Sequence, residues 1–295
     1  MIIKAYRKYI PLKIRDYVYN LILRDILFFI RNFKTIIKAK FFYWFNFLVR
    51  KNPANRAFIF MGKYGICLLP YAFTLKYKRL KIALFKDESN QLMYLMHNDK
   101  KLYFPRNFTN RDIETLYKQL LAEQDENSPH RYIKSWDELS GKILLDIGAA
   151  EGMISLNVID YAEHIFLFES EENWIEALMA TFEPYKKKVT IIKRYISNIN
   201  DENHLTIDHF LEGKMINNLF IKMDIEGAEL LALQGAENVL SNAKDVKLAI
   251  CTYHRKDDFR NITDLFSSKG LIYNSTIGRL FCENEFRIGL VRIGC

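Results

Sequence analysis

The sequence has little that would tie it to an oxidising compartment or thread it through a bilayer. Only four cysteines occur in 295 residues, Cys67, Cys251, Cys282 and Cys295. None makes a CxxC pair or a metal-finger spacing, so no disulfide framework or zinc site is encoded. Long apolar runs are missing too: the longest uncharged stretch, Tyr64 to Leu75, has 12 residues and contains Pro70, well short of the ~20 needed to span a membrane. Lys4, Arg7, Lys8, Lys13, Arg15 and Arg24 interrupt the start before any sustained apolar core. No small-residue cleavage site follows, so a secretory signal is not expected and the protein is expected in the cytoplasm. Glycine is sparse early, ten of the twelve lying from Gly141 onward, which confines tight turns to the last 155 residues. Acids are nearly missing from residues 1 to 50, where Asp16 and Asp25 face 11 Lys and Arg; residues 51 to 295 hold 32 basic and 33 acidic side chains. The net charge of +8 therefore belongs to the leading segment.

What is present is a globular composition, 49% hydrophobic and 26% charged, without internal repeats. After Gly141, short β-branched runs alternate with helical patterns, which predicts an α/β fold with a parallel sheet. The expected strands are Ile143 to Ile147, His164 to Phe168, Val189 to Lys193, Leu219 to Met223, Val246 to Cys251, Leu271 to Tyr273 and Arg287 to Ile293. Trp174, Ala177, Leu178, Thr181 and Phe182 repeat at helical spacing, as do Leu230, Leu233, Ala236 and Leu240, giving each helix one sheet-facing stripe. Upstream, Leu80 to Tyr103 reads as β-rich with a turn at Asp87 to Asn90, and Arg111 to Ala122 as a helix capped by Thr109 or Asn110. Ser135 to Glu138 has a capping-box pattern, which puts His130 and Tyr132 near the carboxyl edge of the sheet. The expected organisation is a basic leader (1–50), an N-terminal α+β subdomain (51–134) and a catalytic domain (135–295).

Asp146-Ile-Gly148-Ala149-Ala150-Glu151-Gly152 follows one of these strands and precedes a helical stretch, Met153 to Tyr161. Glycines four apart let the backbone approach a ligand and aim helix N-terminal N–H groups at it. The spacing is neither the G-x-G-x-x-G of a dinucleotide site nor a P-loop, and Asp146 and Glu151 would repel a polyphosphate. That argues against a nicotinamide-linked oxidoreductase. Glu169 ends the next strand 23 residues after Asp146, where an acid can hold ribose hydroxyls. A nucleoside recognised without phosphate points to S-adenosyl-L-methionine, with Asp146, Gly148, Ala149, Gly152 and Glu169 as the cofactor-binding residues.

The chain resembles the FkbM-type class I methyltransferases over roughly residues 128 to 295. The resemblance rests on Phe220-Ile-Lys-Met-Asp224-Ile-Glu226-Gly227-Ala-Glu229-Leu-Leu-Ala-Leu-Gln-Gly235-Ala236, on the glycine loop, on Phe168-Glu169, on Thr206-Ile-Asp208-His-Phe210 and on Lys269-Gly270-Leu. It implies a doubly wound, Rossmann-like, seven-stranded, mostly parallel sheet with a reversed last hairpin, preceded here by a helical and β extension. It also implies O-methylation of hydroxyls on sugars, polysaccharides, glycolipid precursors or other secondary products. Two positions depart from the family pattern: Ser170 replaces a common Pro, and Ala150 replaces the Asn of the usual loop.

Asp224 closes the fourth strand, at the edge where a doubly wound sheet opens its crevice, and His254 follows the fifth. An alcohol needs a base to accept its proton, so His254 is expected as general base, with Asp224 orienting it or the acceptor. Glu226 is counted with Asp224 and His254 as a catalytic residue, at the substrate or cofactor loop, with capping of the next helix as its alternative, and Glu229 is expected as a helix N-terminal charge. On this reading His254→Ala slows turnover and Glu169→Ala weakens cofactor binding. A Mg²⁺ between Asp224 and Glu226 lacks a visible ligand set, and no metal is expected. His130, Arg131 and Tyr132 either roof the cofactor or form a solvated loop. A reading from another class is a catalytically silent cofactor-binding or scaffold protein.

The leader holds 13 of the 42 aromatics. From Lys13 its polar residues Lys13, Asp16, Asn20, Arg24, Arg31, Lys34 and Lys38 fall on one arc of a helix, leaving a broad apolar face. It can pack on the protein's own body, on an anionic membrane surface or membrane-associated partner at the inner face of the membrane, or on nucleic acid, the last being least favoured.

Overall fold

The computed structural model describes residues 24–46, 52–214, 218–241 and 246–294. The leader pattern from Lys13 to Asn20, and Cys295, lie outside the described residues. The chain divides into two compact units, Met1–Ala72 and Phe73–Cys295, instead of breaking at 50/51 and 134/135.

In the first unit, helix α1 (Arg24–Trp44) lies against α2 (Pro53–Tyr64). The side chain of Asn52 caps α2 by accepting from the Ala54 N–H, and Pro53 opens the helix where a missing N–H costs nothing. Among the described residues, no helix is long and apolar enough to cross a membrane.

The second unit runs α3 (Thr74–Lys78), β1 (Phe85–Lys86), β2 (Met93–His97), β3 (Lys100–Phe104), α4 (Asn110–Glu123), β4 (Ile143–Ile147), α5 (Met153–Val158), β5 (His164–Phe168), α6 (Glu172–Phe182), β6 (Val189–Ile192), β7 (Tyr195–Ile196) and β8 (His204–Leu205). It continues α7 (Ile207–Leu211), β9 (Leu219–Met223), α8 (Glu229–Gln234), α9 (Glu237–Ser241), β10 (Val246–Cys251), α10 (Asp258–Ser268), β11 (Tyr273–Ser275), β12 (Leu280–Cys282), β13 (Glu285–Arg287) and β14 (Leu290–Ile293). Its main sheet has the order β11-β14-β10-β9-β4-β5-β6. Strands β6, β5, β4, β9 and β10 are mutually parallel, and β14 runs antiparallel to both neighbours. This is the doubly wound, mostly parallel sheet expected, with one reversed strand. The order reverses at β4, between β5 and β9, and a crevice opens there beyond the strand ends.

Strands β4, β5, β9 and β10 are buried almost throughout because helices cover both faces, which is why they read as continuous apolar runs. The stretch from Arg287 to Ile293 is not one strand. Arg287 ends the β12–β13 hairpin, and Gly289 passes so close to the Pro129 carbonyl oxygen that a Cβ would overlap it. The Leu271 strand starts two residues late, at Tyr273. The β1–β3 meander and α4 are not a separate subdomain. Leu95, Leu102, Phe104 and Ile113 share one core with Leu144, Leu156 and Ile165, and the Thr181 hydroxyl of α6 accepts from the Tyr103 N–H at 3.0 Å. Thr109 caps α4 with a reciprocal Asp112 bond.

Candidate active site

The glycine loop joins β4 to α5 at the reversal point. Gly148 and Gly152 have φ of 76° and 77°, and Ala150 adopts 46°, a left-handed conformation that a Cβ makes costly. Ala150 is held there by its N–H, which donates to Glu169 Oε2 at 2.9 Å. The glycines are needed for packing within the chain. A Cβ on Gly148 would overlap the Asp224 carbonyl oxygen, and one on Gly152 would crowd Phe182 and Leu178. The loop is thereby pinned against the tips of both neighbouring strands.

Asp146 and Lys222 are register partners on β4 and β9, so their side chains meet on one face. Lys222 Nζ lies 2.9 Å from Asp146 Oδ1 and donates to the Gly148 carbonyl at 2.5 Å, while the Ser155 hydroxyl donates to Asp146 Oδ2 at 2.6 Å. Burial works against a charge on Lys222, but the carboxylates of Asp146 and Asp224 outweigh it and hold its pKa above the ordinary lysine value. Asp146 therefore supports the loop from beneath.

A cavity of about 420 Å³ opens above, within the size range of small-molecule sites. Gly148, Glu151, Glu169, Trp174, Asp224 and Glu226 contribute to its wall, whereas Asp146, Ala149 and Gly152 do not. Glu169 accepts from Ser170 and Glu171 N–H at 2.7 and 2.8 Å as well as from Ala150. Three of its roughly four acceptor positions are thus filled, and one remains for a ligand hydroxyl.

On the other side of the crevice, Asp224 follows β9. Its Oδ2 accepts from the Tyr132 hydroxyl at 2.5 Å, and its Oδ1 lies 3.2 Å from His254 Nε2. His254 Nδ1 lies 2.8 Å from Glu229 Oε1, and Glu226 Oε2 is 3.7 Å from Nε2. Burial alone would lower the His254 pKa, but the bonds to Asp224 and Glu229 raise it to about 10. With its pKa raised, the imidazole holds its proton at neutral pH, donating from Nδ1 to Glu229, while Nε2 faces the Asp224 carboxylate as an ion pair at 3.2 Å and is poorly placed to take an alcohol proton. This revises the expectation of His254 as general base. Asp224 is opposed by burial too, yet His254 and Lys222 hold its carboxyl far below the usual range. The donor atoms of Asp224, Glu229 and His254 lie within 4.8 Å of one another, and a cation there would have to displace a ring proton.

Several groups here were not read correctly from sequence. Glu229 is fully buried and reaches back to the Ile225 N–H and His254, so it is not merely a helix-end charge. His130 and Tyr132 are buried, which excludes the solvated-loop reading. Burial pushes the His130 pKa down to about 4 and leaves it neutral beside the Tyr253 hydroxyl at 3.2 Å. Glu226 takes φ 54° and its side chain is 92% exposed at the mouth. Lys222 carried the one available signal, a lone charge inside an apolar strand, which demands a partner.

These groups fix the pH dependence of stability. His254 moves from an ordinary 6.5 to about 10, so its contribution is complete below about 6.5 and is lost as pH rises through 10. Burial raises Glu123 and Glu151 from 4.5 to about 7, so their proton uptake on folding also favours the lower pH. The urea midpoint should fall between pH 6 and pH 10, and His254→Gln should flatten the alkaline part. A midpoint that rises across this range would contradict the ion-pair chain.

Residues 147–273 match a family model described as the methyltransferase FkbM domain. No curated protein matches the sequence. Among solved structures, methyltransferase FkbM from Methylobacillus flagellatus KT is similar at 22% identity and a TM-score of 0.44, over 64% of this chain and 56% of that one. This chain thus aligns with little more than half of that relative. A SAM-dependent methyltransferase from Aquifex aeolicus is similar at 13% identity and a TM-score of 0.38, over 63% and 97%. A Streptococcus mutans structure in complex with SAH is similar at 14% identity and a TM-score of 0.36, over 54% and 93%.

Proposed function

We propose, from the match of residues 147–273 to the methyltransferase FkbM domain and from the doubly wound sheet that carries them, that the protein uses S-adenosylmethionine to O-methylate a hydroxyl of a sugar, polysaccharide or glycolipid precursor. The observation that carries this reading is Asp224, a carboxylate on the cavity wall whose position is fixed from behind by Tyr132 and His254.

The cavity suits the cofactor chemically. Glu151, Glu169, Glu171, Asp224 and Glu226 outnumber Arg194 on its wall, which favours a cationic nucleoside over a phosphorylated one. Glu169 would take a ribose hydroxyl, and Phe168, Ile196 and Trp174 offer apolar surface for a base. When bound, S-adenosylmethionine supplies an electrophilic methyl group and a sulfonium leaving group. The chain's own task is to place the acceptor oxygen and take its proton. Asp224 does both: it accepts the hydroxyl's hydrogen bond, and the proton passes to its carboxylate as the new C–O bond forms. An alcohol becomes strongly acidic as it gains a methyl group, so even a weakly basic carboxylate suffices. Exposed Glu226, beside His254 Nε2, gives the proton an exit to water.

Tyr195 on the wall offers aromatic surface to a sugar, and the carboxylates accept its hydroxyls. A glycolipid precursor is membrane-bound, so this reading places the enzyme in the cytoplasm and peripherally at the inner face of the membrane. Incubation with methyl-tritiated S-adenosylmethionine and glycan or glycolipid fractions tests the proposal. Label in an alkali-stable methyl ether is expected. Label confined to base-labile esters, or cofactor binding without any transfer, contradicts it, and the latter would favour a silent scaffold.

A further inference from the structure

The first unit leaves most of the large apolar side chains of α1 exposed. In a water-soluble helical hairpin the large apolar side chains meet between the helices. Here Phe42 of α1 stacks on buried Phe58 of α2, but the buried residues of α1 are Asn32, Thr35 and Ala39. Ala39 faces α2, where a Cβ on Gly62 would overlap the Ala39 carbonyl oxygen and crowd Tyr43. Small residues at such a contact let two backbones approach closely, as in helix pairs surrounded by lipid. Most of the large residues of α1 are exposed. Ile26, Ile30, Phe33, Ile37, Phe41 and Trp44 recur every three or four positions, occupy about 80° of arc on a 3.6-residue helix, and are 47–70% exposed.

The charges around this stripe are of one sign. Arg31, Lys34 and Lys38 lie along one edge of it, and no Asp or Glu occurs from Ile26 to Lys86. Five cations within α1, Arg24, Arg31, Lys34, Lys38 and Lys40, forbid a spanning orientation, whereas a helix lying in the interface can sink its apolar face and extend cations to lipid headgroups. Nucleic acid would need the cations, not the stripe, at the contact surface.

We infer that the α1–α2 hairpin docks flat on an anionic bilayer, with the Ile26-to-Trp44 stripe of α1 immersed at the headgroup–acyl boundary. This deepens the peripheral-membrane part of the proposed function and is independent of the methyl-transfer chemistry. It is tested by flotation of the full chain with phosphatidylcholine vesicles, with and without phosphatidylglycerol, and by size-exclusion chromatography without lipid. The wild type should float with the anionic vesicles. Ile30→Ser/Ile37→Ser, whose side chains face away from α2, should bind roughly tenfold more weakly or worse while keeping its helical circular dichroism. Lys34→Gln/Lys38→Gln should lose the preference for anionic lipid. If the wild type and the Ile30→Ser/Ile37→Ser variant float equally, the membrane reading survives through another part of the leader and the stripe is wrong. If the wild type floats with neither vesicle, both fail. Self-association abolished by the same double substitution, without flotation, would assign the stripe to a second copy of the chain and overturn the inference.

Discussion

Asp224→Asn should bind S-adenosylmethionine as the wild type does and lose methyl transfer by ~10²–10⁴-fold, the usual contribution of a positioned proton acceptor. Its carboxylate accepts from Tyr132 on one oxygen and faces His254 Nε2 on the other. An asparagine amide can satisfy one of these donors but must turn its own NH₂ toward the other. The acceptor hydroxyl then loses its proton sink, and a buried imidazolium loses one of its two carboxylates. The His254 pKa, about 10 in the wild type, should drop accordingly, which ring-nitrogen NMR reads independently of turnover. Cofactor affinity should hold, because Glu169 and the glycine loop make no side-chain bond to Asp224. His254→Gln should cost less, since it removes a positioning group and leaves the proton acceptor. Turnover of Asp224→Asn within threefold of wild type would remove Asp224 from the chemistry.

Lys222→Met should be the most destabilising single change in the site, by about 3–5 kcal/mol, the cost of stripping one partner from a buried ion pair. Methionine keeps the stem volume, so packing is not what is lost. What remains is Asp146, buried with only the Ser155 hydroxyl as counter-group, together with a Gly148 carbonyl that has lost its donor. For a unit of this size the melting temperature should fall by roughly 6–20 °C. Adding Asp146→Asn should recover part of the loss, because an uncharged amide can stay buried at lower cost. If Lys222→Met melts within 2 °C of wild type, the pair does not hold the loop.

The sheet was legible because its strands are apolar runs ended by charged or turn residues. Ile143–Ile147, His164–Phe168, Leu219–Met223 and Val246–Cys251 are found at the bounds the pattern gives. Reading failed where a distant contact decides the local structure. Nothing near Gly289 announces that it must pass the Pro129 carbonyl, and that passage is what breaks the last strand pattern. The site follows the same rule. Glu169 and Asp224 could be placed because strand tips point into the crevice. The roles of Asp146, Glu229 and His254 could not, because each is set by a partner on another strand or helix: Lys222 for Asp146, and His254 for Glu229. A histidine after a strand suggests a base only until the carboxylates of Glu229 and Asp224 are seen beside it.

Whether the crevice between β5 and β9 is a phosphate-free nucleoside site is decided by calorimetric titration of the purified protein. One S-adenosylmethionine should bind per chain, NAD should give no heat, and affinity should be at least tenfold weaker in Glu169→Ala, which loses the one open acceptor position of that side chain. Binding of NAD in place of S-adenosylmethionine, or equal affinity of Glu169→Ala and wild type, would contradict that reading.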